Sequence, residues 1–255
     1  MSSDWSSDVC SSDLAISESE TVLPQLTLRF YDGQNPELYD TAIDIIGSGC
    51  VYPMLYNDNV NIPSVTNAFG IIEKEAEQYI PYGCGEYTIY HRSADSPNGI
   101  INLAKALEVL IHGGRDPVSG RKMGVEVPSG SLSDFDELLN LYKKQLEYHL
   151  DALAYQQRFE YKLASDISPF LYFSILYDSC IERGKAIFDG GIDYLGGTME
   201  TYGNTVVADS LYAIKKAVFE DKKFSLEQLA FMLKEDFAGF EKERHMLKSL
   251  PKYGN

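Results

Sequence analysis

Residues 36 to 111 alternate helix-length and strand-length apolar patterns, and this rhythm restricts the chain to the α/β class more than any other feature does. NPELYDTAIDIIGSG offers Pro36 at a first helical position, Leu38, Ala42, Ile45 and Ile46 at helical spacing, and Gly47 as a stop. CVYPMLYND reads as a short buried strand ending at the polar pair Asn57 and Asp58, and IEKEAEQYI as a second helical segment closed by Pro81. The run after Cys84 alternates as a strand. SPNGIINLAKALEVLIHGG then places Ile100, Leu103, Leu107, Leu110 and Ile111 on one helical face, with Asn98 as its cap.

The second half is mostly helical. From Ser133 a long run carries Phe135, Leu139, Tyr142, Leu146, Leu150 and Leu153 at three- to four-residue spacing, and Ser225 with Gln228 makes a capping box for a terminal helix. Between them FDGGIDYLGGTMETYGN has no helical face. Such glycine-rich backbone approaches a ligand or a neighbouring strand closely.

With 44% hydrophobic residues among 255, the chain can bury a full core as one large domain or two small ones. Its formal charge of -16 opposes phosphate backbones and anionic lipid, which excludes nucleic acid and membrane as expected partners. Cys10, Cys50, Cys84 and Cys180 are far apart, as are the histidines, so neither a disulfide framework nor a zinc site is suggested and a reducing cytoplasm fits. No apolar run reaches membrane-spanning length. The opening MSSDWSSDVCSSDL repeats Ser-Ser-Asp without any structural period and resembles a translated sequencing adapter. Residues 1–14 are therefore expected to be a non-native tail and are set apart from the fold.

The reactive candidate is the stretch PYGCGEYTIYHRS. Gly83 and Gly85 permit backbone conformations closed to other residues and put the Cys84 sulfur at the tip of a tight turn, with Glu86 near it. A sulfur that meets a substrate and a carboxylate that moves its proton would suit such a turn. The plainer alternative is a small buried thiol. His91 as a base for Cys84 fits poorly, because seven residues of strand separate the two by roughly 20 Å at about 3.3 Å each. His112 reads as a helix C-terminal residue, and Asp58, Asp95 and Asp116 as turn or cap residues.

PYGCGEY, NLAKALEVLIHGGRDPVSG, VADSLYAIKKAVFE and PKYGN, in that order and spacing, resemble the glycyl radical enzymes of the pyruvate formate-lyase and glycerol dehydratase type, from about Leu23 to Asn255. The resemblance implies a ten-stranded α/β barrel wrapped by helices, with residues 15–255 as part of a pyruvate formate-lyase-like domain. It also implies catalytic roles for Cys84, as the thiyl that abstracts a hydrogen atom, and Glu86, as general acid or base. The glycyl radical is installed in such enzymes by a radical S-adenosylmethionine activase. A small-molecule substrate, a homodimer and a cytoplasmic location are implied with it.

Two departures shape the expected reaction. Cys84 is followed by Gly85 and not by a second cysteine, which disfavours the acyl transfer of pyruvate formate-lyase itself. The radical-storing glycine motif is expected downstream of PKYGN, and the chain is expected to be an internal piece lacking it. Elimination from a small hydroxylated metabolite is the leading expectation. The alternatives are a radical carbon–carbon lyase of the arylacetate decarboxylase or formate acetyltransferase type, and an inactive helical interaction module.

Overall fold

The computed structural model describes residues 25–83, 85–94, 97–127, 132 and 134–253. Cys84, Asp95, Ser133 and the tail of residues 1–14 lie outside the described residues. In chain order the elements begin with β1 (Thr27–Phe30), α1 (Pro36–Gly47), β2 (Met54–Asn57), α2 (Asp58–Phe69), α3 (Glu73–Ala76), β3 (Tyr79–Tyr82), β4 (Glu86–Ile89) and β5 (Ser93–Ala94). Next come β6 (Pro97–Asn102), α4 (Leu103–Ile111), α5 (Phe135–Ile167), α6 (Leu171–Ser174) and α7 (Cys180–Arg183). The last are β7 (Tyr194–Leu195), β8 (Thr198–Tyr202), α8 (Asn204–Ile214), α9 (Leu226–Lys234) and α10 (Glu241–Ser249). The class is α/β, and the strands among the described residues form four two-stranded sheets.

These elements fall into two compact units, one of residues up to Ser96 with Tyr161–Gly197, the other of Pro97–Glu160 with the residues from Thr198 on. In the first, β1 and β2 pair in parallel from Thr27↔Met54 to Phe30↔Asn57. Helix α1 supplies the crossover that parallel strands require. Its Leu38 and Ala42 pack with Leu28 and Leu55. Hairpin β3–β4 pairs Tyr79↔Ile89 through Tyr82↔Glu86. Beneath it Tyr56, Val65, Ile71, Ala76, Tyr79 and Ile89 form the core that holds the hairpin in place. In the second unit β6 pairs in parallel with β8. Ala106, Leu107 and Leu110 of α4 pack there with Leu138, Tyr142, Val207, Ile214, Leu229 and Met232.

Several expectations need correction. Helix α2 was not foreseen: it carries Pro63 in its interior and buries only Asp58 and Val65, so its sequence shows no apolar stripe, and its start rests on the Asn57 cap. The segment expected to be helical up to Pro81 is one helical turn, after which β-forming Tyr79 and Ile80 pair in the hairpin with Pro81 inside the strand. Asn98 lies within β6, and the cap of α4 is Asn102, whose side chain accepts from Lys105 N at 3.0 Å. Ile100 therefore belongs to the strand and not to the helical face. Part of the glycine-rich passage is strands β7 and β8, paired with β5 and β6. Helix α5 runs on to Ile167, 33 residues in all. The Ser225–Gln228 capping box is present, but α9 is followed by α10.

Candidate active site

Glu86 opens strand β4 and is 6% exposed. A buried carboxylate is costly unless polar groups surround it, so its place is informative. Its Oε2 accepts a hydrogen bond from the backbone N–H of Gly85 at 2.8 Å, so the side chain folds back towards Gly85 and Gly83. Gly83 lies directly below, in the left-handed region at φ 60°. A Cβ added there would stand 2.5 Å from Oε2 and 3.1 Å from Oε1 of Glu86. A Cβ added at Gly85 would meet nothing within 4 Å. The two glycines flanking position 84 therefore differ: one is required by the backbone and by Glu86, while the other faces open space among the described residues.

The framework under the hairpin comes from β1 and β2. Arg29 Nε and Nη2 each donate to Asp58 at 2.8 Å, and Nη1 donates to the carbonyls of Glu77 and Tyr79 at 3.0 Å. Such a two-pronged fork holds a carboxylate by geometry as well as charge. The guanidinium lies 4.0 Å from the Tyr79 ring centroid. The Tyr79 hydroxyl donates to Asp58 Oδ1 at 2.6 Å. Burial, and then that bond to an anion, push the Tyr79 phenol up to about 12. Near the connection, the Tyr56 hydroxyl lies 3.1 Å from the Glu86 carbonyl oxygen and 3.3 Å from that of Tyr82.

Beyond β4 the chain turns sharply. Ser93 Oγ accepts from Ile89 N at 2.8 Å and meets Thr88 Oγ1 at 2.7 Å. Arg92 donates to Asp193 at 2.8 Å, Glu75 at 3.0 Å and the Tyr194 hydroxyl at 3.2 Å, and Arg183 donates to the other oxygen of Asp193 at 2.6 Å. The Arg92 bond, reinforced by both cations, holds the Asp193 carboxyl below the usual carboxylate range.

Of the two predicted catalytic residues, Glu86 is placed at the hairpin, and Cys84 is outside the described residues. His91 is not in a strand continuing from β4: it has φ 57°, stacks on Tyr90 and lies 4.0 Å from exposed Asp178. The premise of seven extended residues therefore does not hold. His112 is a helix C-cap, with its ring nitrogens 2.8 Å from Glu108 O and 3.1 Å from Ala230 O. Asp116 caps a turn through Ser119 N and also pairs with Lys105 at 2.6 Å. Asp58 is an ion-pair partner of Arg29, and the cap beside it is Asn57. Sequence reasoning missed Tyr56, Arg29, Tyr79 and Arg92, whose partners lie far away in the chain. Among the described residues no group of three or more His, Cys, Asp or Glu side chains is arranged to hold a metal ion, and no helix is long and apolar enough to cross a membrane.

Known proteins resemble this chain in sequence and in fold. The family model described as "Pyruvate formate lyase-like" matches residues 15–255. The probable dehydratase YbiW of Escherichia coli is 29% identical over 241 residues, covering 91% of this chain and 30% of the relative. An isethionate sulfite-lyase of Oleidesulfovibrio alaskensis is 34% identical over 242 residues, covering 91% of this chain and 28% of the relative. Among solved structures, the glycerol-bound B12-independent glycerol dehydratase of Clostridium butyricum superimposes with a TM-score of 0.83 at 27% identity, covering 96% of this chain and 31% of that one. The chain thus spans about 30% of the length of such relatives. The chain belongs to the pyruvate formate lyase-like family of glycyl radical enzymes.

Proposed function

We propose that this chain carries the substrate-activating hairpin of a glycyl radical lyase or dehydratase, with Cys84 moving a hydrogen atom and Glu86 a proton. The observation that carries this reading is the buried Glu86 carboxylate, folded over Gly83 and bonded to Gly85 N–H beside the position of Cys84. The family's glycyl radical, when installed, supplies the means of oxidising the Cys84 thiol to a thiyl. The open space beside Gly85 is compatible with the approach of another segment and a substrate to this connection.

A substrate C–H bond breaks homolytically and the S–H bond of Cys84 forms, leaving an unpaired electron on carbon. Glu86 accepts the proton of a hydroxyl on that carbon, which raises the electron density there and favours departure of a group from the adjacent carbon with its bonding pair. Water and sulfite are such leaving groups, as the names of the dehydratase and sulfite-lyase relatives indicate for those proteins. A proton returned from Glu86 neutralises the leaving group, and hydrogen-atom return from Cys84 to the product regenerates the thiyl. The substrate class is a small hydroxylated metabolite with a leaving group on the neighbouring carbon. In this reading the hairpin lies inside a ten-stranded barrel, a radical S-adenosylmethionine activase installs the radical, and the enzyme is a cytoplasmic homodimer.

The test is Glu86→Gln and Cys84→Ser in the activated holoenzyme, each checked for its glycyl radical by electron paramagnetic resonance. Cys84→Ser is expected to abolish turnover with the radical intact. Glu86→Gln is expected to lose on the order of 10²–10⁴-fold in rate, the usual contribution of general acid–base catalysis. Near-full turnover in Glu86→Gln would overturn the reading.

A further inference from the structure

We propose that the Tyr56 hydroxyl is a positioning group for Glu86, an inference that rests on the reading of Glu86 as the proton-transfer residue. Tyr56 is 5% exposed and sits on β2, a strand fixed by its pairing with β1 and by the helix that starts at its end. Its hydroxyl reaches the carbonyls of Tyr82 and Glu86, which are register partners and the last pair of the hairpin before the connection. At 3.3 and 3.1 Å both contacts exceed the typical O–H···O length of about 2.7–2.8 Å, as one proton shared between two acceptors would.

A single donor bound to both strands at their final pair opposes fraying there. The Glu86 carboxylate depends on that pair, because it folds back from residue 86 onto Gly83 and Gly85. Where the backbone at 86 stands decides where the carboxylate lies. The Tyr79 hydroxyl bond to Asp58 and the Arg29 bond to the Tyr79 carbonyl belong to the opposite end of the hairpin, at the Tyr79↔Ile89 pair. Tyr56 therefore acts through Glu86.

The experiment is a double-mutant cycle in the activated holoenzyme with Tyr56→Phe, Glu86→Gln and both together. Tyr56→Phe keeps the ring and removes one donor. It is expected to lower kcat by roughly 10- to 100-fold with KM little changed, the scale of loss when a reacting group shifts by about 1 Å. In the Glu86→Gln background Tyr56→Phe is expected to cost nothing further, since residues acting as a unit are non-additive. Wild-type kcat in Tyr56→Phe, or losses that multiply in the double variant, would overturn the inference. Should Tyr56→Phe fail to fold, p-aminophenylalanine at position 56 retains a donor and is expected to restore most of kcat; folded enzyme without that recovery also overturns it. If Glu86→Gln is slow but Tyr56→Phe is not, only the positioning role fails, whereas full turnover in Glu86→Gln removes the functional reading together with it.

Discussion

The carboxylate of Glu86 occupies the space that a side chain at Gly83 would need, with Oε2 only 2.5 Å from the position of a Cβ. Gly83 also has φ 60°, a conformation that costs a residue bearing Cβ about 1–2 kcal/mol. Gly83→Ala is therefore expected to lower stability by about that amount and to displace Glu86, so that kcat falls further than stability alone explains. Among the described residues a methyl at Gly85→Ala meets nothing within 4 Å, and this variant is expected to lower the unfolding midpoint less than Gly83→Ala does. Urea unfolding and kcat of both variants check this, and equal effects at the two positions would refute the asymmetry.

The Tyr79 hydroxyl donates to the Asp58 carboxylate, and hydrogen bonds to charged groups contribute about 1.5–3 kcal/mol. Tyr79→Phe is expected to cost an amount in that range at neutral pH. Burial first, then the bond to Asp58, raise the phenol to about 12, so the folded chain holds this proton more tightly than the unfolded chain does. The stabilisation is complete below about pH 10 and is lost as pH rises towards 12. Burial raises Tyr142 to about 12 as well, so Tyr79→Phe should remove part of the alkaline loss. Unfolding midpoints at pH 9 and pH 11 measure this, and an unchanged alkaline slope in Tyr79→Phe would contradict it.

Asp193 has the opposite sign. Its carboxyl is held low first by the Arg92 hydrogen bond, then by one from Ser179 and by the charges of Arg92 and Arg183, so the unfolded chain binds its proton more readily than the folded chain. Stability from this group is present above about pH 4 and falls away as pH drops through the folded value. Asp193→Asn is expected to lower the unfolding midpoint at pH 7 and to differ less from wild type at pH 3. A difference independent of pH would mean that the ion pairs with Arg92 and Arg183 contribute little.

What was legible in the sequence was local. Pro36, the spaced apolar residues and Gly47 announced α1, and the two glycines announced the sharp connection before Glu86. The sequence pattern pointed to Asn98 as a cap, whereas the β-branched pair Ile100 and Ile101 extends β6 along β8 and the cap falls at Asn102. The pairing of β5 with β7 joins Ser93 to Tyr194, and no local pattern encodes so distant a partner. Tyr56 read as one more apolar residue of a buried strand, because its ring does pack in the core and only its hydroxyl meets the hairpin. At Gly191 the glycine-rich passage closes against the turn just before it and against Cys180, not against a ligand or a strand: a Cβ there would collide with the Lys185 carbonyl oxygen and stand 2.7 Å from that of Ala186 and 2.9 Å from the Cys180 sulfur.

The order of the two transfers at the hairpin is also testable. If Glu86 acts after Cys84 has taken its hydrogen atom, slowing Glu86 gives the abstracted atom time to exchange from the thiol into water and return to the substrate. Activated Glu86→Gln holoenzyme in deuterated water is then expected to recover substrate enriched in deuterium at the attacked carbon, with more exchange events per turnover than wild type. Cys84→Ser should give neither exchange nor product. Mass spectrometry of the recovered substrate reads the outcome directly. Should Glu86→Gln show neither exchange nor turnover while retaining its glycyl radical, the carboxylate would be needed for the abstraction itself, and its place over Gly83 would serve to orient the substrate hydroxyl before the C–H bond breaks.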